Sequence, residues 1–245
     1  MLSKPIRILG NTLKDTVIWI RNFIVSKMSR KRLKRSSKDD LGLRRVKSKS
    51  SRKRLTRTSS EQLDLKFKLL VPKKKKILVL DLDETLIHSS TQGSRYHDHV
   101  IEVMVDKHIC LYYVYKRPFV DHFLKKVSEW YKIVIFTASL AEYADPVIDY
   151  LDSKNCVISK RFFRDSCIPM NGSYAKNLSL VDEDLSSLIL VDNSPVAYQH
   201  YPENGIPIQT WVDDQNDEAL LDLLLFLDAL RYTQDVRSVL RLKCH

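Results

Sequence analysis

The apolar positions of this chain change period more than once. From Pro5 to Met28, Ile6, Leu9, Leu13, Val17, Ile20, Ile24 and Met28 recur at steps of three or four, which predicts a helix with one apolar face. Arg7, Lys14, Arg21 and Lys27 interrupt it, and the unbroken apolar run 17–20 is far short of the roughly 20 residues that cross a bilayer. Trp19 and Phe23 suit a headgroup boundary, so residues 1–28 are expected to lie on a membrane as an amphipathic helix, with docking on the folded part of the chain as the alternative. Residues 29–69 carry few large apolar side chains and no period. Such a segment cannot offset its ordering entropy and reads as a disordered linker.

Beyond Lys73 the pattern is that of an α/β domain over residues 70–245. "ILVL" (77–80), "IVIF" (133–136) and "LILV" (188–191) are short runs apolar on both faces, as in a parallel sheet covered by helices on both sides. "FVDHFLKKVSEWY" (119–131) puts Val120, Phe123, Leu124, Val127 and Trp130 on one helical face and leads into the second run. "HVIEVMVDKHICLYYVYK" (99–116) is rich in β-formers around Asp106-Lys107 and predicts a small β insertion overhanging the first run. "NDEALLDLLLFLDAL" (216–230) is apolar almost all round, a buried or partner-facing helix. The intervals leave no space for a large cap domain.

Each apolar run ends in polar residues: Asp81 after the first, Thr137 after the second, Asp192 and Asn193 after the third, with 56 and 55 residues between Asp81, Thr137 and Asp192. Ligands of open parallel sheets bind beyond the carboxyl ends of strands, so these groups converge if the three strands are neighbours. Asp81 and Asp83 form a carboxylate pair suited to phosphoryl transfer. One attacks phosphorus; the other protonates the leaving oxygen and later activates water. Mg²⁺ held by Asp81, Asp83 and Asn193 oxygens would offset the charge, and a lysine and a hydroxyl would hold the remaining phosphate oxygens. Asp81 and Asp83 merely capping the next turn is the competing reading.

Charge separates the two parts of the chain. The formal charge of +11 arises in residues 1–60, where 19 Lys/Arg face 3 Asp/Glu; the remainder sums to −5. "SRKRLKR" and "RKRLTR" fit a nuclear localisation signal, attraction to anionic lipid, or plain solvated charge. Without interleaved aromatics they argue against nucleic acid. Cys110, Cys156, Cys167 and Cys244 show no metal-ligand spacing, and none has an arginine six positions later, which disfavours a thiol phosphatase. His88, His97 and His99 are either a metal-like cluster or solvated loop residues.

"DLDETL" (81–86), "FTAS" (136–139), Lys176 in "YAKNLSLV" and "LVDNSP" (190–195) resemble, in order, the four motifs of haloacid-dehalogenase-superfamily phosphatases of the DxDxT branch. "KRPFVDHFL", "RFFRDSC", "LVDNSPVAYQHYPENGIPI" and "LDALRYTQDVRSVL" are similar to the Dullard group, the nuclear-envelope branch of the CTD phosphatases. The resemblance implies Asp81 as nucleophile, Asp83 as acid/base, Thr85 orienting Asp83, and Thr137 and Lys176 on the phosphate. It implies Mg²⁺ on Asp81, the Asp83 carbonyl and Asn193, supported by Asp192. Arg164 matches a substrate-contacting arginine, and Leu140 and Tyr143 match positions beside a proline-accepting pocket. Asn177 departs from the family's usual aspartate after the motif lysine. Also implied are phosphoserine or phosphothreonine protein substrates of the lipin phosphatidate-phosphatase type, a small membrane regulatory subunit, and a place at the nuclear envelope or endoplasmic reticulum. The alternatives are a small nuclear phosphatase of the RNA polymerase II tail and an inactive phosphoprotein-binding or membrane scaffold.

Overall fold

In the computed structural model, the described residues are 74–93, 96–105, 107–153 and 156–243. The expected amphipathic helix (1–28) and basic linker (29–69) lie outside them.

The three apolar runs are strands β1 (Lys76–Leu80), β5 (Tyr131–Phe136) and β9 (Leu188–Asp192), and they are neighbours. With β6 (Ile158–Phe162) and β10 (Gly205–Pro207) they form one sheet in the order β10-β9-β1-β5-β6. Every pairing is parallel, and Leu80 stands in register with Ile135 on one side and Val191 on the other. This register brings the ends of all three runs to one edge. The central strands are apolar on both faces because both faces are covered: Leu78, Val79, Leu80, Ile133, Ile135, Leu190 and Val191 are buried. The short edge strands β6 and β10 escaped the sequence reading, since partly solvated edges carry polar residues such as Lys160 and Arg161 and lack the apolar signature.

Helix α1 (Val120–Trp130) buries Val120, Phe123, Leu124 and Val127, as its period predicts. Phe119 is excluded from it by a left-handed φ of 64°, and Tyr131 passes straight into β5. Helix α2 (Ala141–Asp152) follows β5. Helix α3 (Ala219–Leu230) buries Leu220, Leu223, Phe226, Leu227 and Leu230 and leaves Leu225 62 % exposed, so its almost uniform apolarity resolves into one packed face. The Tyr131 hydroxyl donates to the Leu227 carbonyl at 2.6 Å and ties α3 to the sheet. A last helix, α4 (Arg237–Leu240), buries Val239 and Leu240.

The opposite sheet face, carrying Ile77, Val79, Val134, Phe136, Leu188 and Leu190, packs on Cys167 and Leu178 with Tyr174, Val181 and Tyr201 around them. The cover there is the hairpin β7 (Cys167–Met170) and β8 (Ser173–Lys176) with single 3-10 turns at Leu178–Leu180 and Leu185–Ser187. The helices expected on this face are thus shortened to turns, because the segment must also deliver Lys176. The predicted insertion is a three-stranded antiparallel sheet of β2 (Ile87–Ser90), β3 (His99–Val105) and β4 (His108–Lys116), ordered β2-β4-β3, and no large cap occurs among the described residues. No helix of the described residues is long and apolar enough to cross a membrane.

Candidate active site

The polar ends of β1, β5 and β9 meet in a cleft of about 300 Å³ lined by Asp81, Asp83, Thr137, Lys176, Asp192, Asn193 and Arg164. The backbone of Asp81 continues the sheet, its N–H donating to the Val191 carbonyl at 3.0 Å. The chain then turns: the N–H groups of Leu86 and Ile87 both donate to the Leu82 carbonyl, and Glu84 takes a left-handed φ of 54°. This turn separates the two carboxylates, Asp81 facing Lys176 and Asp83 facing the end of β5.

Lys176 arrives at the end of β8, its N–H held by the Ala197 carbonyl at 2.9 Å. Its ammonium is 2 % exposed and lies 2.6 Å from Asp81 Oδ1 and 2.5 Å from Asp192 Oδ2. Burial opposes the Lys176 charge, and Asp81 and Asp192 together outweigh burial, so its pKa is held above the ordinary value. Asp192 is raised as well, which for a carboxylate disfavours the charged form. Burial and the nearby Asp81 charge push it up to about 6 despite Lys176 and the Ser194 N–H. Lys176 is thus held in its charged form, one ammonium shared between two buried carboxylates.

Asp83 is held by hydroxyls. Tyr143 donates to Oδ1 at 2.7 Å, Ser139 to Oδ2 at 2.7 Å, and Thr137 to Oδ2 at 3.3 Å. Burial raises its pKa and the Asp81 charge adds to this, while the Tyr143 and Ser139 hydrogen bonds oppose both. Burial, with the Asp83 charge beside it, likewise raises the Tyr143 phenol and keeps it a donor. A carboxyl whose charged form burial disfavours, standing near a second carboxylate paired with a lysine, is an arrangement able to divide proton transfer from attack.

Thr85 is fully buried and reaches Asn193 Oδ1 at 3.4 Å; it supports the Asn193 amide, and the orienting of Asp83 expected of it falls to Tyr143 and Ser139. Asn193 also donates through Nδ2 to Thr210 at 3.1 Å, which turns its amide oxygen toward Thr85. Arg164 lies on the cleft rim with Nε donating to the Ala138 carbonyl at 2.7 Å and its guanidinium 5.2 Å above the Tyr174 ring. Leu140, just before α2, is 51 % exposed, while Tyr143 stands behind Asp83. Asn177 Oδ1 accepts from the Ser179 N–H and the Tyr201 hydroxyl, bonds that an aspartate oxygen would accept equally, and so caps the 3-10 turn after Lys176. The histidines part company: His88 binds Glu84, His97 packs against Tyr113, and His99 stacks on Tyr150.

Ser139, Ser173 and Tyr174 also line the cleft and were not singled out. Ser139 had a signal, its place two residues after Thr137 in "FTAS". Arg117 had none. It is buried and bidentate to Asp217 at 2.7 and 2.8 Å, with Nη1 on the Thr85 carbonyl at 3.1 Å, and so clamps the turn that carries Asp83.

The oxygens available suit Mg²⁺: two aspartates and an amide, all hard donors, in a cleft lined by the carboxylates of Asp81, Asp83, Glu84 and Asp192, two of which meet Lys176. Among the described residues no set of three or more His, Cys, Asp or Glu side chains is spaced to hold a metal ion, so a cation here would depend on the Asn193 amide and main-chain oxygen as well.

Fold and site together define an α/β domain of the phosphatase class, with the Asp81 carboxylate at the end of the central strand of a parallel sheet. The chain belongs to the NLI interacting factor-like phosphatase family, whose model matches residues 76–237, and it is a protein phosphatase. It is 50 % identical over 180 residues to CTD nuclear envelope phosphatase 1 of Xenopus tropicalis, covering 70 % of this chain and 74 % of that protein. It is 53 % identical over 165 residues to a probable C-terminal domain small phosphatase of Dictyostelium discoideum, covering 67 % and 54 % of the two. The solved structure of Fcp1, an RNA polymerase II CTD phosphatase, matches with a TM-score of 0.50 at 20 % identity, over 63 % of this chain and 46 % of that one, and speaks for the fold.

Proposed function

We propose that this chain is a Mg²⁺-dependent protein serine/threonine phosphatase working through an aspartyl-phosphate on Asp81. The observation that carries the reading is the pairing across one cleft of a lysine-bound aspartate, Asp81, with a hydroxyl-bound one, Asp83. An Asp81 oxygen forms the bond to phosphorus while the bond to the seryl or threonyl oxygen breaks, and Asp83 gives that oxygen its proton. Lys176 and the Thr137 hydroxyl hold the remaining phosphate oxygens. Asp83, now a carboxylate, takes a proton from the water that attacks phosphorus, which frees Asp81. Asp81, the Asp83 carbonyl and Asn193 would hold Mg²⁺, with Asp192 in support, and the ion supplies the charge neutralisation that lets an anion attack an anion.

The same proposal assigns residues 1–28 to membrane association, 29–69 to a basic linker and 70–245 to catalysis. It places the chain at the nuclear envelope or endoplasmic reticulum, the first of these matching the name of the Xenopus relative. Lipin-type phosphatidate phosphatases as substrates and a small membrane regulatory subunit as partner complete it. The similarity to a C-terminal domain small phosphatase supports a second reading, action on the RNA polymerase II tail.

The test is phosphate release from phosphoserine peptides by the full chain, with a chelator and with Asp81→Asn. Loss of activity in both supports the reading; turnover that survives either one removes the metal or the nucleophile from it. Imaging the full chain beside a variant lacking residues 1–28 separates the two locations, since a purely nucleoplasmic full chain contradicts membrane association.

A further inference from the structure

The two oxygens of Asp83 are held differently. Oδ2 faces Ser139 and Thr137, both of which line the cleft. Oδ1 is turned away to Tyr143, whose phenol oxygen lies 2.5 Å from Ser89 Oγ. A phenol has one proton, and Tyr143 spends it on Asp83, so Ser89 donates to Tyr143. The Tyr143 ring also meets Tyr112 edge-on at 5.1 Å. Ser89 is on β2 and Tyr112 on β4, so the insertion sheet holds the phenol from two sides.

We propose that Tyr143 is a positioning residue for the acid step: it keeps Asp83 Oδ1 as a hydrogen-bond acceptor and thereby makes Oδ2 the oxygen that delivers the proton, with Ser89 aiming the phenol. This rests on the reading of Asp83 as acid/base. As the Asp81–phosphorus bond forms and the phosphorus–oxygen ester bond breaks, the proton on Oδ2 passes to the departing oxygen and the alcohol leaves neutral. The Ser139 and Thr137 hydroxyls, which both donate to Oδ2, turn about their Cβ–O bonds and yield it to that proton, whereas the Tyr143 hydroxyl is held on Oδ1 with Ser89 behind it. The role differs from the substrate-pocket position that the resemblance implied for Tyr143, and it makes the β insertion part of the catalytic apparatus.

Two small esters separate these roles, because neither carries a peptide. The p-nitrophenolate of p-nitrophenyl phosphate leaves with little help from a proton, whereas phenyl phosphate releases a more basic phenolate that needs it. In the full chain, Tyr143→Phe is expected to lose about tenfold more kcat/KM on phenyl phosphate than on p-nitrophenyl phosphate, a fraction of what general acid catalysis contributes. Ser89→Ala is expected to show the same inequality, smaller. Equal losses on the two esters, no loss, or a raised KM for phosphopeptide with the ester ratio unchanged would overturn the proposal. If Tyr143→Phe does not fold, Ser89→Ala gives the same comparison. Asp83→Asn is the control: equal losses there defeat the acid/base reading itself, while an unequal loss in Asp83→Asn with an equal loss in Tyr143→Phe defeats only the role given to Tyr143.

Discussion

Replacing Asp217 by alanine is expected to be among the costliest single changes in this domain, although Asp217 is not in the cleft. Its partner Arg117 has a fully buried side chain, Asp217 is 12 % exposed, and the two are joined by paired hydrogen bonds of 2.7 and 2.8 Å. In Asp217→Ala the guanidinium keeps the Thr85 carbonyl as a partner but is left buried and uncompensated, which costs about 3–5 kcal/mol. With a urea m-value of about 2 kcal/mol/M, the unfolding midpoint falls by about 2 M. Fluorescence reports the transition, because Trp211 is 2 % exposed and donates to the Asp214 carbonyl beside the pair. The double variant Arg117→Met/Asp217→Leu removes both charges and is expected to recover most of the loss, since a well-packed apolar pair often replaces a buried ion pair at little cost. A single-variant cost under about 1 kcal/mol, or a double variant no better than the single, would refute the electrostatic reasoning.

Lys176→Met leaves Asp81 and Asp192 as adjacent buried carboxylates and removes the phosphate donor of the proposed mechanism; kcat/KM on phosphopeptide is expected to drop by at least about 100-fold, and a smaller drop measured in steady state speaks against the proposed role. Tyr131→Phe removes the buried hydrogen bond to Leu227 and should cost about 1 kcal/mol in urea titrations. Burial raises the Tyr131 phenol above its ordinary value. Its neutral form is therefore favoured by folding, so the stability it confers is intact below about pH 10 and is lost as pH climbs further, a loss Tyr131→Phe should escape in alkaline melts. Burial also pushes the Cys167 thiol up to about 11. Iodoacetamide at pH 8 should label exposed Cys156 in the native protein well before Cys167, as peptide mapping will show.

What could be read from the sequence was whatever repeats locally. Strands β1, β5 and β9 announce themselves as runs apolar on both faces, and the polar residue ending each is legible because a parallel sheet collects strand ends on one edge. Asp81, Lys176, Asp192 and Asn193 were legible this way, with the resemblance supplying the lysine. The partner of each group was less legible. Thr85 meets Asn193 across 108 residues and Tyr143 meets Asp83 across 60, so which hydroxyl serves which carboxyl is decided by how α2 and the insertion pack. Arg117 and Asp217, a hundred residues apart, look like surface charges until the chain closes around them.

The central claim is that Asp81 carries the phosphoryl group during turnover. The most direct measurement is rapid acid quenching of the full chain with phosphoserine peptide and Mg²⁺, followed by mass spectrometry of the peptide containing Asp81. The account predicts one phosphate on Asp81, labile to hydroxylamine as an acyl phosphate is, and none in Asp81→Asn. Continued turnover with no phosphate on Asp81 in the quenched protein would contradict it.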